Sequence, residues 1–134
     1  MNTDQYYMQR CLELAQRAKE EGESAVGSIV VLDGEIIGEA YEMSKQLKDI
    51  SRHAEVLAIL DALKHTDNLS QATIYSNVEP CVLCSYMIRH HKMKRVVFLH
   101  HCGELGGTSS LFNVLVNDKV HSWSKPPEVI TLNK

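Results

Sequence analysis

Apolar residues recur at helical spacing over residues 4–21. Tyr7 or Met8, Cys11, Leu14 or Ala15, and Ala18 fall on one face, and Glu13, Arg17 and Glu20 fall on the other. This predicts an amphipathic helix that Gly22 ends. The period then changes. Ser28–Leu32 and Glu35–Ala40 are β-rich runs joined by Asp33-Gly34. That dipeptide tolerates the positive φ of a two-residue hairpin turn, so the segment reads as a β-hairpin. Residues 41–52 are polar and irregular and read as a loop. Ala54, Leu57, Ala58, Leu60 and Leu63 predict a helix over about 52–64. Residues 72–77 suit a buried strand. Pro80 then opens a helix over 81–91, because a first-turn proline lacks an N–H that the helix does not use. Residues 94–99 read as a strand, 102–107 as a Gly-rich loop, 109–116 as a short helix and 126–132 as a last strand. After the hairpin, strands alternate with helices, which implies parallel pairing and a layered α/β domain. No repeat or linker interrupts the pattern, so residues 1–134 are read as one domain.

Composition narrows the class. A chain of 134 residues can bury about two-thirds of its unfolded surface, and 44% hydrophobic with 23% charged residues suits a soluble globule. No apolar run approaches the ~20 residues of a membrane span. The polar start Met1-Asn2-Thr3-Asp4-Gln5 has no secretory-signal pattern. The expectation is a cytoplasmic protein without disulfides and without a membrane partner, in which Cys11 is a buried helix residue and Cys102 a loop thiol. A formal net charge of −3 argues against a dedicated nucleic-acid binder. The small clusters Arg89-His90-His91-Lys92 and Lys94-Arg95 fit a solvated helix end and turn, where cations are favourable, better than a phosphate track.

The chemistry is concentrated in His53-Ala54-Glu55 and Pro80-Cys81-Val82-Leu83-Cys84. One imidazole and two thiolates are three good zinc ligands. They leave the fourth tetrahedral position for water, as in a catalytic site. Cys81 and Cys84 lie three apart on one helical face. His53 and Cys81 each stand near a helix start, whose partial positive charge favours a thiolate. Glu55 is not needed by the metal and lies close enough to move protons. In this order the residues match H-x-E…P-C-x-x-C, the signature of zinc deaminases that act on nucleobases. The alternatives are a redox pair or a closed zinc knuckle, with Cys11, Cys102 or another histidine as fourth ligand. His90-His91 and His100-His101 are read as surface or core residues, with His100 or His101 able to line a pocket. Phe112 and Trp123 are read as packing residues.

Over most of its length the chain resembles the cytidine deaminase superfamily, and within it the branch of tRNA adenosine, guanine and fungal cytosine deaminases. The resemblance runs through Ala25-Val26-Gly27, Asp33–Gly38, His53–Ile59, Ile74–Cys81, Val96-Val97-Phe98, Gly106 and Ser110–Leu115. It implies a three-layer α-β-α sandwich with a five-stranded mixed sheet, one Zn2+ per chain held by His53, Cys81 and Cys84, Glu55 as the catalytic proton carrier, and a homodimer. It also implies that Val26, Ala54, Glu42, Asn77, Val78 and Glu79 contact substrate or support its pocket, Glu79 as an orienting group.

The departures from the family pattern also inform. Glu42 stands where an Asn is usual, so an acceptor-only carboxylate replaces a group that donates and accepts. It suits ring N–H, amino or ribose hydroxyl donors and repels phosphate, although a solvated loop position remains an alternative. Asp49-Ile50-Ser51-Arg52 replaces Asp-Pro-Thr-Ala, and Asn77 stands where tRNA enzymes carry Thr. The chain stops soon after its last predicted strand. The expectation is therefore hydrolytic deamination of a free nucleobase or nucleoside with release of ammonia. A tRNA adenosine deaminase forming inosine at the wobble position is the alternative, and a non-catalytic zinc-stabilised interaction module is a second.

Overall fold

Thr3 caps the first helix: its Oγ1 accepts a hydrogen bond from the Tyr6 amide at 3.1 Å. In the computed structural model, which describes residues 2–132, the elements run α1 (Asp4–Glu20), β1 (Gly27–Leu32), β2 (Glu35–Tyr41), α2 (Ala54–Ala62), β3 (Thr73–Val78), α3 (Val82–His90), β4 (Arg95–His100), a 3-10 turn (His121–Trp123) and β5 (Glu128–Thr131). Met1 of the polar N-terminal segment lies outside the described residues. Asp33 and Gly34 both take positive φ, 52° and 79°, as the hairpin turn between β1 and β2 requires.

The five strands lie in the order β2-β1-β3-β4-β5. β1 is antiparallel to both β2 and β3, whereas β3, β4 and β5 run parallel. The sheet is therefore mixed, and parallel pairing is confined to the last three strands. Alternation along the strands builds two cores. Ile29, Val31, Tyr75 and Val97 pack against Tyr7, Met8, Cys11 and Leu14 of α1. Val30, Ile74, Val96 and Phe98 pack on the other face with Ala58, Ile59 and Ala62 of α2 and Ile88 of α3. This is the expected three-layer α-β-α sandwich. α2 approaches β2 closely at Gly38, where a Cβ would lie 2.4 Å from the Ala58 carbonyl oxygen and 2.7 Å from the Ala62 nitrogen. Among the described residues no helix is long and apolar enough to cross a membrane.

The helix expected over 109–116 does not form. That stretch runs as successive turns, with Leu111 95% and Phe112 45% exposed, and Leu115 carries its contribution to the core. Arg89 of α3, buried at 1% exposure and not solvated as expected of a cation at a helix end, holds the segment instead. Its Nη1 donates to the carbonyls of Val114 and Asn117, each at 2.7 Å, and its Nη2 to that of Ser124 at 3.3 Å. The guanidinium lies over the Trp123 ring, 4.9 Å from its centroid. Trp123 is thus a packing residue, as expected.

Candidate active site

The starts of α2 and α3 meet at the carboxyl end of β3, where ligands of α/β sheets usually bind. His53 is the N-cap of α2 and Cys81 the N-cap of α3, and neither side chain caps its own helix. Side chains that usually cap are Ser, Thr, Asp or Asn; here both positions present metal-binding atoms. Cys84 follows one turn into α3 and is buried. His53 Nδ1 lies 3.5 Å from each sulfur, and the two sulfurs are 3.9 Å apart. A tetrahedral zinc bonded at about 2.3 Å to two sulfurs and about 2.0 Å to a nitrogen separates these atoms by roughly 3.8 and 3.5 Å. The donor set and its spacing fit zinc. Among the described residues the cluster has these three members, so the fourth position is open and the closed-knuckle reading finds no support in Cys11 or Cys102.

Glu55, in the first turn of α2, is buried beside the cluster. Burial pushes its carboxyl up to about 7 and the nearby Cys81 sulfur adds to the shift, while a hydrogen bond from Ser76 Oγ at 3.2 Å opposes it. The protein's own groups draw Cys81 down to about 4, chiefly through a hydrogen bond from the Cys84 thiol and also through His53. His53 rises to about 9 through its hydrogen bond with Cys81. Cys84 is held well above its ordinary range by its bond to Cys81 and by burial. The cluster thus couples an imidazolium, a thiolate and a thiol, and zinc must displace protons to bind it.

A cavity of about 190 Å³ opens over these groups, lined by Ser24, Val26, Glu42, His53, Glu55, Val78, Glu79, Cys81 and Cys102. Most of the residues chosen from sequence therefore share one pocket wall. Cys84, Ala54 and Asn77 are absent from the lining. Ala54 is buried at the start of α2, where a helix leaves its first N–H groups without intrahelical partners. Asn77 accepts from the Gly27 amide and donates to the Ala25 carbonyl, both at 2.9 Å, and so fixes the backbone on either side of Val26. Glu42 is buried, which removes the solvated-loop alternative, and one of its oxygens accepts from Ser44 Oγ at 2.6 Å. Glu79 is buried too. Burial opposes its ionisation, but hydrogen bonds from Thr108 and from the Cys102 and Thr108 amides hold its carboxyl below the usual range. His101 Nδ1 donates to the ionised Glu79 carboxylate at 3.2 Å, so this histidine reaches the pocket's support.

Sequence reasoning missed Ser24 and the pocket-lining role of Cys102. Ser24 follows Glu23, whose buried carboxylate accepts from the Lys45 and Gln46 amides at 3.0 and 2.8 Å and ties the 42–53 loop to the pocket rim. No local pattern announces that contact. For Cys102 the signal was a cysteine in a Gly-rich loop that follows a strand.

The family model for the cytidine and deoxycytidylate deaminase zinc-binding region matches residues 1–100. The chain is similar to the tRNA-specific adenosine deaminase of Aquifex aeolicus (strain VF5), with 39% identity over 113 residues, 83% of this chain and 75% of that protein. Among solved structures it is similar to one from work on A-to-I editing by tRNA:A34 deaminases at the wobble position of transfer RNA. That match has a TM-score of 0.84 and 25% identity, and covers 95% of this chain and 97% of the other. It is also similar to the guanine deaminase of Bacillus subtilis, with a TM-score of 0.70 and 30% identity over 75% of this chain and 66% of that one.

Proposed function

Because the chain belongs to the cytidine and deoxycytidylate deaminase zinc-binding family, we propose that it deaminates adenosine in tRNA, leaving inosine at the wobble position. The chain is a zinc-dependent hydrolase of nucleobase or nucleoside C–N bonds. The choice of tRNA departs from the free substrate that the residues alone favoured. What supports it is the 39% identity to a tRNA-specific adenosine deaminase across most of both chains. The reading carries with it a cytoplasmic homodimer.

His53, Cys81 and Cys84 would hold the zinc, which supplies a Lewis acid that brings the ionisation of a water toward neutral pH. Glu55 accepts one proton of the attacking water and delivers it to the ring nitrogen beside the amino-bearing carbon; it then takes the second proton from the newly added hydroxyl and gives it to the amino group, which leaves as ammonia. Its burial serves this role, because a carboxyl near neutrality can both take and give a proton. Ser76 keeps the group aimed and eases its ionised form. The pocket wall would hold the base within reach of Glu55.

A second reading rests on one observation. Glu42 brings a buried acceptor into the pocket, which suits the ring N–H and amino donors of a free base such as guanine. One experiment separates the two. Zinc-loaded protein is incubated with an anticodon stem-loop carrying adenosine at the wobble position and, in parallel, with cytosine, guanine, adenine and their nucleosides. The proposal expects inosine in digested RNA by mass spectrometry and at most slow ammonia release from the free compounds. Rapid ammonia release from a free base with no inosine in the RNA would overturn it.

A further inference from the structure

Three buried glutamates, Glu42, Glu55 and Glu79, line one pocket, and the surroundings of the last two differ. Glu55 has one side-chain hydrogen-bond partner, Ser76. Glu79 is 1% exposed and is surrounded by donors. Its Oε1 meets His101 Nδ1 at 3.2 Å and accepts from the Cys102 amide at 3.0 Å. Its Oε2 accepts from the Thr108 amide at 2.9 Å and from the Thr108 hydroxyl. One oxygen therefore holds the entrance of the 101–108 loop and the other holds its exit. A carboxylate offers about four acceptor sites, so this one is saturated and has no site left for a travelling proton. The same saturation offsets the cost of burying the charge.

The loop also packs directly on the carboxylate. A Cβ at Gly106 would lie 2.4 Å from Glu79 Oε1, so a side chain there would push the carboxylate away from its donors. The backbone fastens the same junction. The Glu79 amide donates to the His100 carbonyl at 2.7 Å, the Gly107 amide donates to the Pro80 carbonyl at 2.9 Å, and Cys81 and Gly106 form an isolated antiparallel bridge. The end of β4, the loop and the start of α3 are thus joined around Glu79, with metal ligand Cys81 and wall residue Cys102 on either side.

We propose that Glu79 is a positioning residue: its two carboxylate oxygens clamp the two ends of the 101–108 loop and so fix the pocket wall at Cys102 relative to Cys81. It acts on substrate placement and not on proton transfer. The kinetic part of this inference rests on the deaminase reading; the clamp itself does not.

The test is Glu79→Gln, with Thr108→Val as a milder second variant that removes one hydroxyl donor. The carboxamide keeps one acceptor oxygen and turns an NH2 group toward the amide donor at the other end. Four readouts are taken on zinc-loaded protein: amide hydrogen exchange at Cys102 and Thr108, zinc content, kcat and KM on the anticodon stem-loop or whichever free base is turned over, and the pH–rate profile. The clamp predicts at least tenfold faster exchange at one or both amides in Glu79→Gln and a smaller change at Thr108 in Thr108→Val. Zinc stays at one per chain. kcat/KM falls by about 10- to 100-fold, mostly through KM, as expected for a supporting hydrogen bond, and both limbs of the pH profile stay in place. Unchanged exchange in both variants overturns the clamp, whether or not any substrate is turned over. Loss of a pH limb makes Glu79 a proton carrier, and loss of zinc makes it a guardian of the metal; either overturns the proposal. Absence of turnover in the wild type, with exchange altered as predicted, overturns the substrate reading and leaves the clamp standing.

Discussion

Ser76 Oγ donates to Glu55 Oε2 at 3.2 Å across a buried gap, so that the hydroxyl of β3 aims the carboxylate of α2 at the metal-ligand cluster. The bond stabilises the ionised form and opposes the upward push of burial. Ser76→Ala removes it. The Glu55 carboxyl then rises further above its ordinary range, and the acid limb of the kcat–pH profile moves to higher pH. At neutral pH the rate falls a few-fold, while above the limb it returns toward wild type. Steady-state rates across pH 5–9 check this, and an acid limb that stays put or moves down contradicts it.

Zinc affinity must depend on pH in one direction. The protein alone holds His53 protonated, up to about 9, and keeps Cys84 as a thiol, whereas the metal requires neutral imidazole and thiolates. Binding therefore releases protons, and apparent affinity falls as pH falls. Competition with a chromophoric chelator at pH 6 and pH 8 measures the slope, and calorimetry in buffers of different ionisation enthalpy counts the protons. Equal affinity at both pH values would contradict the assignment of ligand protonation.

The legible part of this fold was its periodic part. α1, the hairpin, β3, α3 and β4 followed from apolar spacing and from Asp33-Gly34, and the site followed from His53, Glu55, Cys81 and Cys84. The segment 109–116 was misread because Leu111, Val114 and Leu115 imitate a helical stripe, yet Leu111 faces solvent and Leu115 alone of the three is buried. What holds that segment is Arg89, 25 and 28 residues before the carbonyls it binds. Such a contact leaves no local trace. The same holds for Asn77, whose amide meets Ala25 and Gly27 some 50 residues away in sequence. Its proximity to the motif was legible, but the direction of its side chain was not. Net charge describes the whole chain, whereas substrate choice is decided at one pocket rim.

The close passage of β2 beneath α2 gives a stability prediction. In Gly38→Ala the new methyl meets backbone atoms, the Ala58 oxygen at 2.4 Å and the Ala62 nitrogen at 2.7 Å, which cannot rotate away. Overpacking of this kind costs about 1–3 kcal/mol. Urea denaturation should show that loss, and activity should fall as well, because α2 carries Glu55 and begins at His53. A midpoint unchanged from wild type would mean that the helix has room to shift.

Asp4 links the N-terminus to the sheet. It accepts from Arg95 Nη2 at 2.9 Å and from Tyr75 Oη at 2.6 Å. The hydrogen bond from Arg95 is the main cause that holds its carboxyl below the ordinary range. A depressed carboxyl adds stability above its unfolded value, about 3.9, and loses it as pH falls through the folded value. Asp4→Asn should therefore melt at a lower temperature than wild type at pH 7, and the gap should close as both are taken below about pH 4. A gap that persists at low pH would assign the effect to packing and not to charge.

The central claim is that His53, Cys81 and Cys84 hold zinc while Glu55 moves the protons, and Glu55→Gln tests it most directly. The variant should bind one zinc per chain with wild-type melting behaviour, and inosine formation in the anticodon stem-loop should slow by at least about 10²-fold, the lower bound for a lost general acid–base group. A zinc-loaded Glu55→Gln protein that forms inosine within threefold of the wild-type rate would contradict the account.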